Sequence, residues 1–205
     1  MNVYFVVAHP DDVEINAGGT VSKLIAKGKH DVRVIICADC GEDRKAEALN
    51  AMLHLGVEAD AVTFLQGHVD TKLNDSALAV ELDTYLNDAD LIFTHHPHDT
   101  HQDHRAVSWA TQSAGRNCKS ILFFVGIYPS GRFYDGVMAN VSISYIQEDA
   151  DRKELALLAH KSQVGKYGDD EWVKAITSGN IADSWRYCGK HGYAEMFQCC
   201  RIQLL

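Results

Sequence analysis

NVYFVVAHPDDVEINAGGTVSKLIAKGKHDVRVIIC, residues 2–37, sets the architecture of this chain. Residues 2–7 form a short run of β-branched and aromatic side chains, which predicts a strand. The polar stretch 8–20 reads as a loop, residues 21–27 take helical spacing, and residues 31–37 form a second strand. Strand, helix and strand in that order make a βαβ unit. The alternation continues outward, with helices over 44–55, 75–86 and 105–114 and strands over 61–65, 91–94 and 120–125. Gly56 closes the first of those helices. Strands separated by helices of this length predict an α/β fold, a Rossmann-like, mostly parallel sheet covered by helices on both faces. Beyond it lie a strand over 141–146, a helix over 148–160 and an irregular, glycine-containing tail ending in the stretch 197–205.

Length and composition narrow the functional classes. The 205 residues are 46% hydrophobic and 23% charged, as expected of one ordinary globular domain spanning 1–205. With 28 acidic against 19 basic residues the net charge is −9, which argues against nucleic acid or an anionic membrane as the main partner. The longest strongly apolar run, 121–128, is far shorter than the ~18 residues of a membrane span. No charged leader precedes an apolar stretch, and six cysteines are too few for a disulfide scaffold, so a cytoplasmic protein with reduced thiols is expected. Oligomeric state stays open, a homo-oligomer included.

The chemistry concentrates in two loops. Open α/β sheets bind ligands outside the carboxyl ends of their strands, and there stand His9-Pro10-Asp11-Asp12 after the first strand and HHPHDTHQDH, 95–104, after the fourth. Five of the 11 histidines fall in that second stretch, which points to a metal site. Zinc favours imidazole and carboxylate, with three protein ligands and one open position in catalytic sites. The spacing of His9 and Asp12 lets both converge if the chain turns at Pro10, with Asp11 beside the metal. His101 and His104 share that spacing at a helix start, one suited to the metal and the other to substrate.

The segments AHPDDVEINAGGT, 8–20, and HDTHQDH, 98–104, resemble those of the LmbE-like (PIG-L type) zinc-dependent de-N-acetylases. Weaker matches are Arg44 with Glu47, Asp70, Lys161-Ser162-Gln163, and Tyr193-Ala194-Glu195 with Phe197, so the resemblance spans nearly the whole chain. It implies a Rossmann-like hydrolase that binds one zinc ion per chain and removes the acetyl group of an N-acetylated amino sugar, of N-acetylglucosamine type. It further implies His9, Asp12 and His104 as zinc ligands and Asp11 as general base. His101 becomes a protonated oxyanion stabiliser oriented by Asp103. Amide hydrolysis needs an activated water, a stabilised oxyanion and a protonated leaving amine, and zinc can lower the pKa of its water toward ~7. Arg44 and Asp70, at the ends of the second and third strands, are the expected substrate contacts.

Other signals carry less. Cys37 and Cys40 form a C-x-x-C pair, read here as inert thiols because Cys199 and Cys200 are a poor second half of a zinc site. Gly18 and Gly19, read as opening the helix, lack dinucleotide-binding spacing. Glu14 is read as a partner that orients the loop or a ligand. Tyr128, Phe133 and Tyr134 could wall a pocket. Two rivals stand: a metal-dependent amidase for a non-sugar N-acyl substrate, and a non-catalytic metal- or sugar-binding module. Asp11 argues against the second, since pure binding has no use for a carboxylate that does not ligate.

Overall fold

The computed structural model describes residues 1–70, 72–125, 138–168 and 170–202. β1 (Asn2–Val7) is buried on both faces, as an apolar run in the middle of a parallel sheet requires. Its pleat sends Val3, Phe5 and Val7 into one core and Tyr4, Val6 and Ala8 into the other. The first core is closed by α1 (Asp12–Ala26), α2 (Glu42–Leu55) and α5 (Gln147–Ala159), the second by α3 (Asp75–Leu82) and α4 (Gln102–Ala114). With β2 (Asp31–Ile36), β3 (Val62–Phe64), β4 (Leu91–Thr94), β5 (Ser120–Phe124), β6 (Val141–Tyr145) and β7 (Tyr193–Arg201), the sheet runs β3-β2-β1-β4-β5-β7-β6. β1 pairs in parallel with both β2 and β4. The strand order therefore reverses beside β1, and a crevice opens at the carboxyl ends of β1 and β4.

Most strands fall where the sequence places them, and most element ends shift by only a few residues. Two regions differ in kind. The stretch read as a loop is helical from Asp12, so Gly18 and Gly19 lie inside α1 instead of opening it. Close packing explains the pair: a Cβ on Gly19 would meet the Tyr145 ring at 2.4–2.6 Å, and one on Gly18 the Lys153 stem at 2.9 Å. The supposedly irregular tail contains a short α6 (Lys161–Val164), α7 (Glu171–Asp183) and β7, which is antiparallel to both β5 and β6. Tyr128, Phe133 and Tyr134 lie outside the described residues.

A buried ion pair holds α1 in place. Lys153 Nζ is 2.6 Å from Glu195 Oε1 and donates to Asn180 Oδ1 and to the Ile15 carbonyl, at 2.9 and 3.0 Å. The Glu195 carboxylate accepts from the Gly19 and Thr20 amides, at 3.0 and 2.8 Å. Gly19 follows Ile15 by four residues, so the pair occupies both partners of one rung of the helix's own ladder. With every charge satisfied, losing one member would cost about 3–5 kcal/mol.

Candidate metal centre

Asp11 opens α1 from the left-handed region, with φ 100°, the only described non-glycine residue at positive φ. Such strain, of order 1–3 kcal/mol, persists where surroundings enforce it and clusters at functional sites. Asp12 is thereby carried straight into the first helical turn. His101 is the N-cap of α4, with Nδ1 accepting from the Asp103 amide at 3.3 Å, and His104 follows one turn later. Two helix starts thus face each other across the crevice.

Asp12 lies between His9 and His104. Its Oδ2 is 3.4 Å from His9 Nδ1 and accepts from the His9 amide at 2.7 Å, while its Oδ1 is 3.4 Å from His104 Nε2. Each histidine's other nitrogen meets a buried carboxylate: His9 Nε2 is 3.2 Å from Asp103 Oδ2, and His104 Nδ1 is 2.9 Å from Asp99 Oδ2. A proton held there leaves His9 Nδ1 and His104 Nε2, the nitrogens toward Asp12, as lone-pair donors once a metal displaces the second ring proton. This set of two imidazoles and one carboxylate fits a divalent zinc ion. Donor atoms already lie within 4.8 Å in three trios: His9–His101–His104, Asp12–His95–His104 and His9–Asp70–Asp103. His9 and His104 share the first trio and Asp12 and His104 the second, while the expected set of His9, Asp12 and His104 is not itself one of the three. His95 is a poor ligand, because its Nε2 accepts from the Ala8 amide at 3.0 Å.

Charges follow this geometry. Burial opposes charge on His9, but hydrogen bonds to Asp103 and Asp12 push it up to about 10. His104 likewise resists burial and is raised to about 9 by Asp12 and Asp99. Burial would raise Asp12, yet His104 and His95 hold it well below the usual carboxylate range. Asp11 goes the other way: burial and the Asp12 charge push it up to about 7, against His160 and Arg44. His101 differs from the expected imidazolium, since burial and the neighbouring His104 and His9 lower its pKa more than Asp103 raises it.

The remaining candidates are distributed as follows. Arg44 reaches the Pro10 carbonyl at 2.7 Å and Asp11 Oδ2 at 3.4 Å. Glu47, which could have paired with it along α2, instead accepts from Ser162. Asp70 stands 3.2 Å from His9 Nε2 with its side chain 42% exposed. Glu14 is bound to buried His160 at 2.8 Å. The Asp103 carboxylate serves His9 and accepts from the Leu73 amide, so it is the amide of Asp103 that reaches His101. Sequence reasoning missed Asp99, whose signal was a carboxylate two residues before one candidate histidine and five before another. The cavity over these groups, of about 440 Å3, is also lined by Ile15, Thr100, Gln163, Lys166 and Tyr167. Cys37 is buried in the second core, and burial raises both its thiol and that of Cys40, the latter to about 11, so neither is a reactive thiolate.

Comparison with known proteins shows the family. The profile of the PIG-L family, described as GlcNAc-PI de-N-acetylase, matches residues 4–115. A relative from Escherichia coli (strain K12), "Uncharacterized deacetylase YaiS", is 32% identical over 167 residues, covering 76% of this chain and 88% of its own. N,N'-diacetylchitobiose deacetylase from Pyrococcus horikoshii superposes with TM-score 0.74 at 18% identity, covering 97% of this chain and 83% of that one. GalB, the 4-carboxy-2-hydroxymuconate hydratase of Pseudomonas putida KT2440, superposes with TM-score 0.76 at 18% identity, covering 100% and 98%. Both structural likenesses show a shared fold.

Proposed function

Because this chain belongs to the PIG-L (GlcNAc-PI de-N-acetylase) family, we propose that it is a zinc hydrolase that removes the acetyl group from an N-acetylated amino sugar or its conjugate. The observation that carries the reading is Asp11, a buried, strained carboxylate with a pKa raised to about 7, beside a His-Asp-His donor set. A pKa near the working pH suits a general base.

In this mechanism His9, Asp12 and His104 would hold the ion, which when bound would supply Lewis acidity. Arg44 fixes the Asp11 carboxylate over the cavity, where it takes the proton of the attacking water. His101, with Nδ1 occupied by the Asp103 amide, carries its ring proton on Nε2. It donates a hydrogen bond from that atom to the developing oxyanion as a neutral imidazole. Asp11, protonated by the first step, is then the acid beside the departing amine and returns the proton to it. Asp70 and Arg44 line the cavity as candidate contacts for sugar hydroxyls. Among the described residues no helix is long and apolar enough to cross a membrane, and all six thiols are free.

The test is acetate release from metal-loaded protein offered N-acetylglucosamine, its glycosides and nucleotide conjugates, and a parallel set of N-acyl amino acids. Turnover confined to amino sugars supports the reading, and turnover confined to N-acyl amino acids makes the chain a non-sugar amidase. A hydratase shares this fold, so the fold alone does not choose the reaction. No acetate from either set, with the metal retained, refutes the deacetylase reading.

A further inference from the structure

We propose that a second cavity, at the opposite end of α1 from the metal centre, binds a small phosphorylated ligand through Lys23, Lys27 and Lys190. Lys23 lies eleven residues beyond Asp12, roughly 16 Å along the helix, so the cavity is separate from the catalytic crevice. It has a volume of about 580 Å3, enough for a sugar phosphate or a comparably sized aryl phosphate.

The argument rests on unbalanced charge. Lys23 Nζ is fixed on the wall by the Ser144 carbonyl at 2.5 Å, and none of the three lysines makes an ion pair among the described residues. Of the two acids in the lining only Glu148 has an ion-pair partner among the described residues. Glu148 pairs with Arg152 at 3.1 Å, and Asp149 accepts from Ser22 Oγ at 2.7 Å and from the Ile146 amide at 3.3 Å. Three lysines therefore line the cavity against the single unpaired carboxylate of Asp149, in a protein whose net charge is −9. Burial lowers the Lys23 pKa first and repulsion from Lys27 second, with Asp149 opposing and Lys190 adding a smaller lowering. A phosphate dianion relieves that repulsion and can accept from several ammonium groups at once. One wall is apolar: Ile146 is 65% exposed beside the stacked rings of Tyr145 and Tyr193, 5.6 Å apart. That wall favours a ligand that carries a flat or apolar body on its phosphate.

Phenyl phosphate is the probe, titrated calorimetrically into the metal-loaded protein, with inorganic phosphate and phenol as its two halves. Saturable binding is expected, tighter than for either half and weakened by added salt. K23M/K190M should weaken it at least roughly tenfold while metal content and circular dichroism stay unchanged. Hydrogen exchange should slow at 144–148 and 190–193 on binding. No saturable heat overturns the proposal. So does binding that K23M/K190M leaves intact, which would put the phosphate on the metal centre. If the double variant fails to fold, exposed Lys190 alone decides: K190Q must weaken binding, and unchanged affinity again overturns it.

Discussion

Replacing Asp99 by Asn should weaken zinc binding. One Asp99 oxygen lies 2.9 Å from His104 Nδ1, and the other accepts the His101 amide at 2.8 Å. Both partners need an acceptor there when His104 is to offer Nε2 to a metal. Asparagine offers one acceptor and one donor. With its oxygen toward the His101 amide, its NH2 forces His104 to accept at Nδ1, which moves the ring proton onto Nε2 and blocks the ligand position. With its oxygen toward His104, the NH2 faces the His101 amide and that hydrogen bond is lost. Either way one buried, charge-assisted hydrogen bond goes, worth about 1.5–3 kcal/mol. This agrees with the 10–100-fold loss of affinity typical when a carboxylate partner of a metal-binding histidine is removed. Competition with a calibrated chelator measures the zinc Kd, and thermal unfolding of the metal-free protein serves as control. Asp103→Asn should behave alike, because its carboxylate divides the same way between His9 Nε2 and the Leu73 amide. Zinc affinity within twofold of the parent in Asp99→Asn, with apo stability unchanged, would refute the assignment of His104 Nε2 as the donor atom.

Asp11→Asn should keep its zinc, by elemental analysis, while kcat falls roughly 10²–10⁴-fold, because the amide preserves shape but accepts no proton. Parent activity should rise with pH through the Asp11 ionisation, which a bound cation draws below the metal-free value of about 7, and Asp11→Asn should lose that limb. His101→Ala should lower kcat more than it raises KM, since a hydrogen bond to the oxyanion strengthens only in the transition state. As the His101 pKa is lowered, its neutral form should act throughout the neutral range, and a high-pH limb abolished by His101→Ala would show it works as an imidazolium instead. Cys40→Ser should leave metal content and turnover near the parent values and Cys37→Ser should cost stability alone, whereas zinc loss in the double variant would make the thiols ligands.

The parallel strands and the two polar loops were legible because a central strand must be apolar on both faces and because His and Asp gather at strand ends for few other reasons. The helical start at Asp12 was not. Its first turn is polar, and what keeps it helical comes from far along the chain: His160 for Glu14, and Glu195 with Lys153 for the rung between Ile15 and Gly19. β7 was hidden because Glu195 interrupts its apolar pattern, and only the ion pair makes that residue a core residue. Spacing marked the candidate histidines and carboxylates, and the family resemblance chose His9, Asp12 and His104 among them. Which ring nitrogen each presents could not, because it depends on Asp99 and Asp103 lying behind the rings.

The clamp on α1 also orders the chain in time. Every donor of the candidate metal centre has left the ribosome by the time His104 emerges, whereas Lys153, Asn180 and Glu195 arrive later and in that order. Until Glu195 docks, the ammonium of Lys153 has no counter-charge and the Gly19 and Thr20 amides lack their carboxylate. The helix that presents Asp12 is therefore secured by a strand synthesised after every candidate ligand. A nascent chain carries the ligands long before it can hold them rigid, so firm metal capture becomes a sign that β7 has been made and placed.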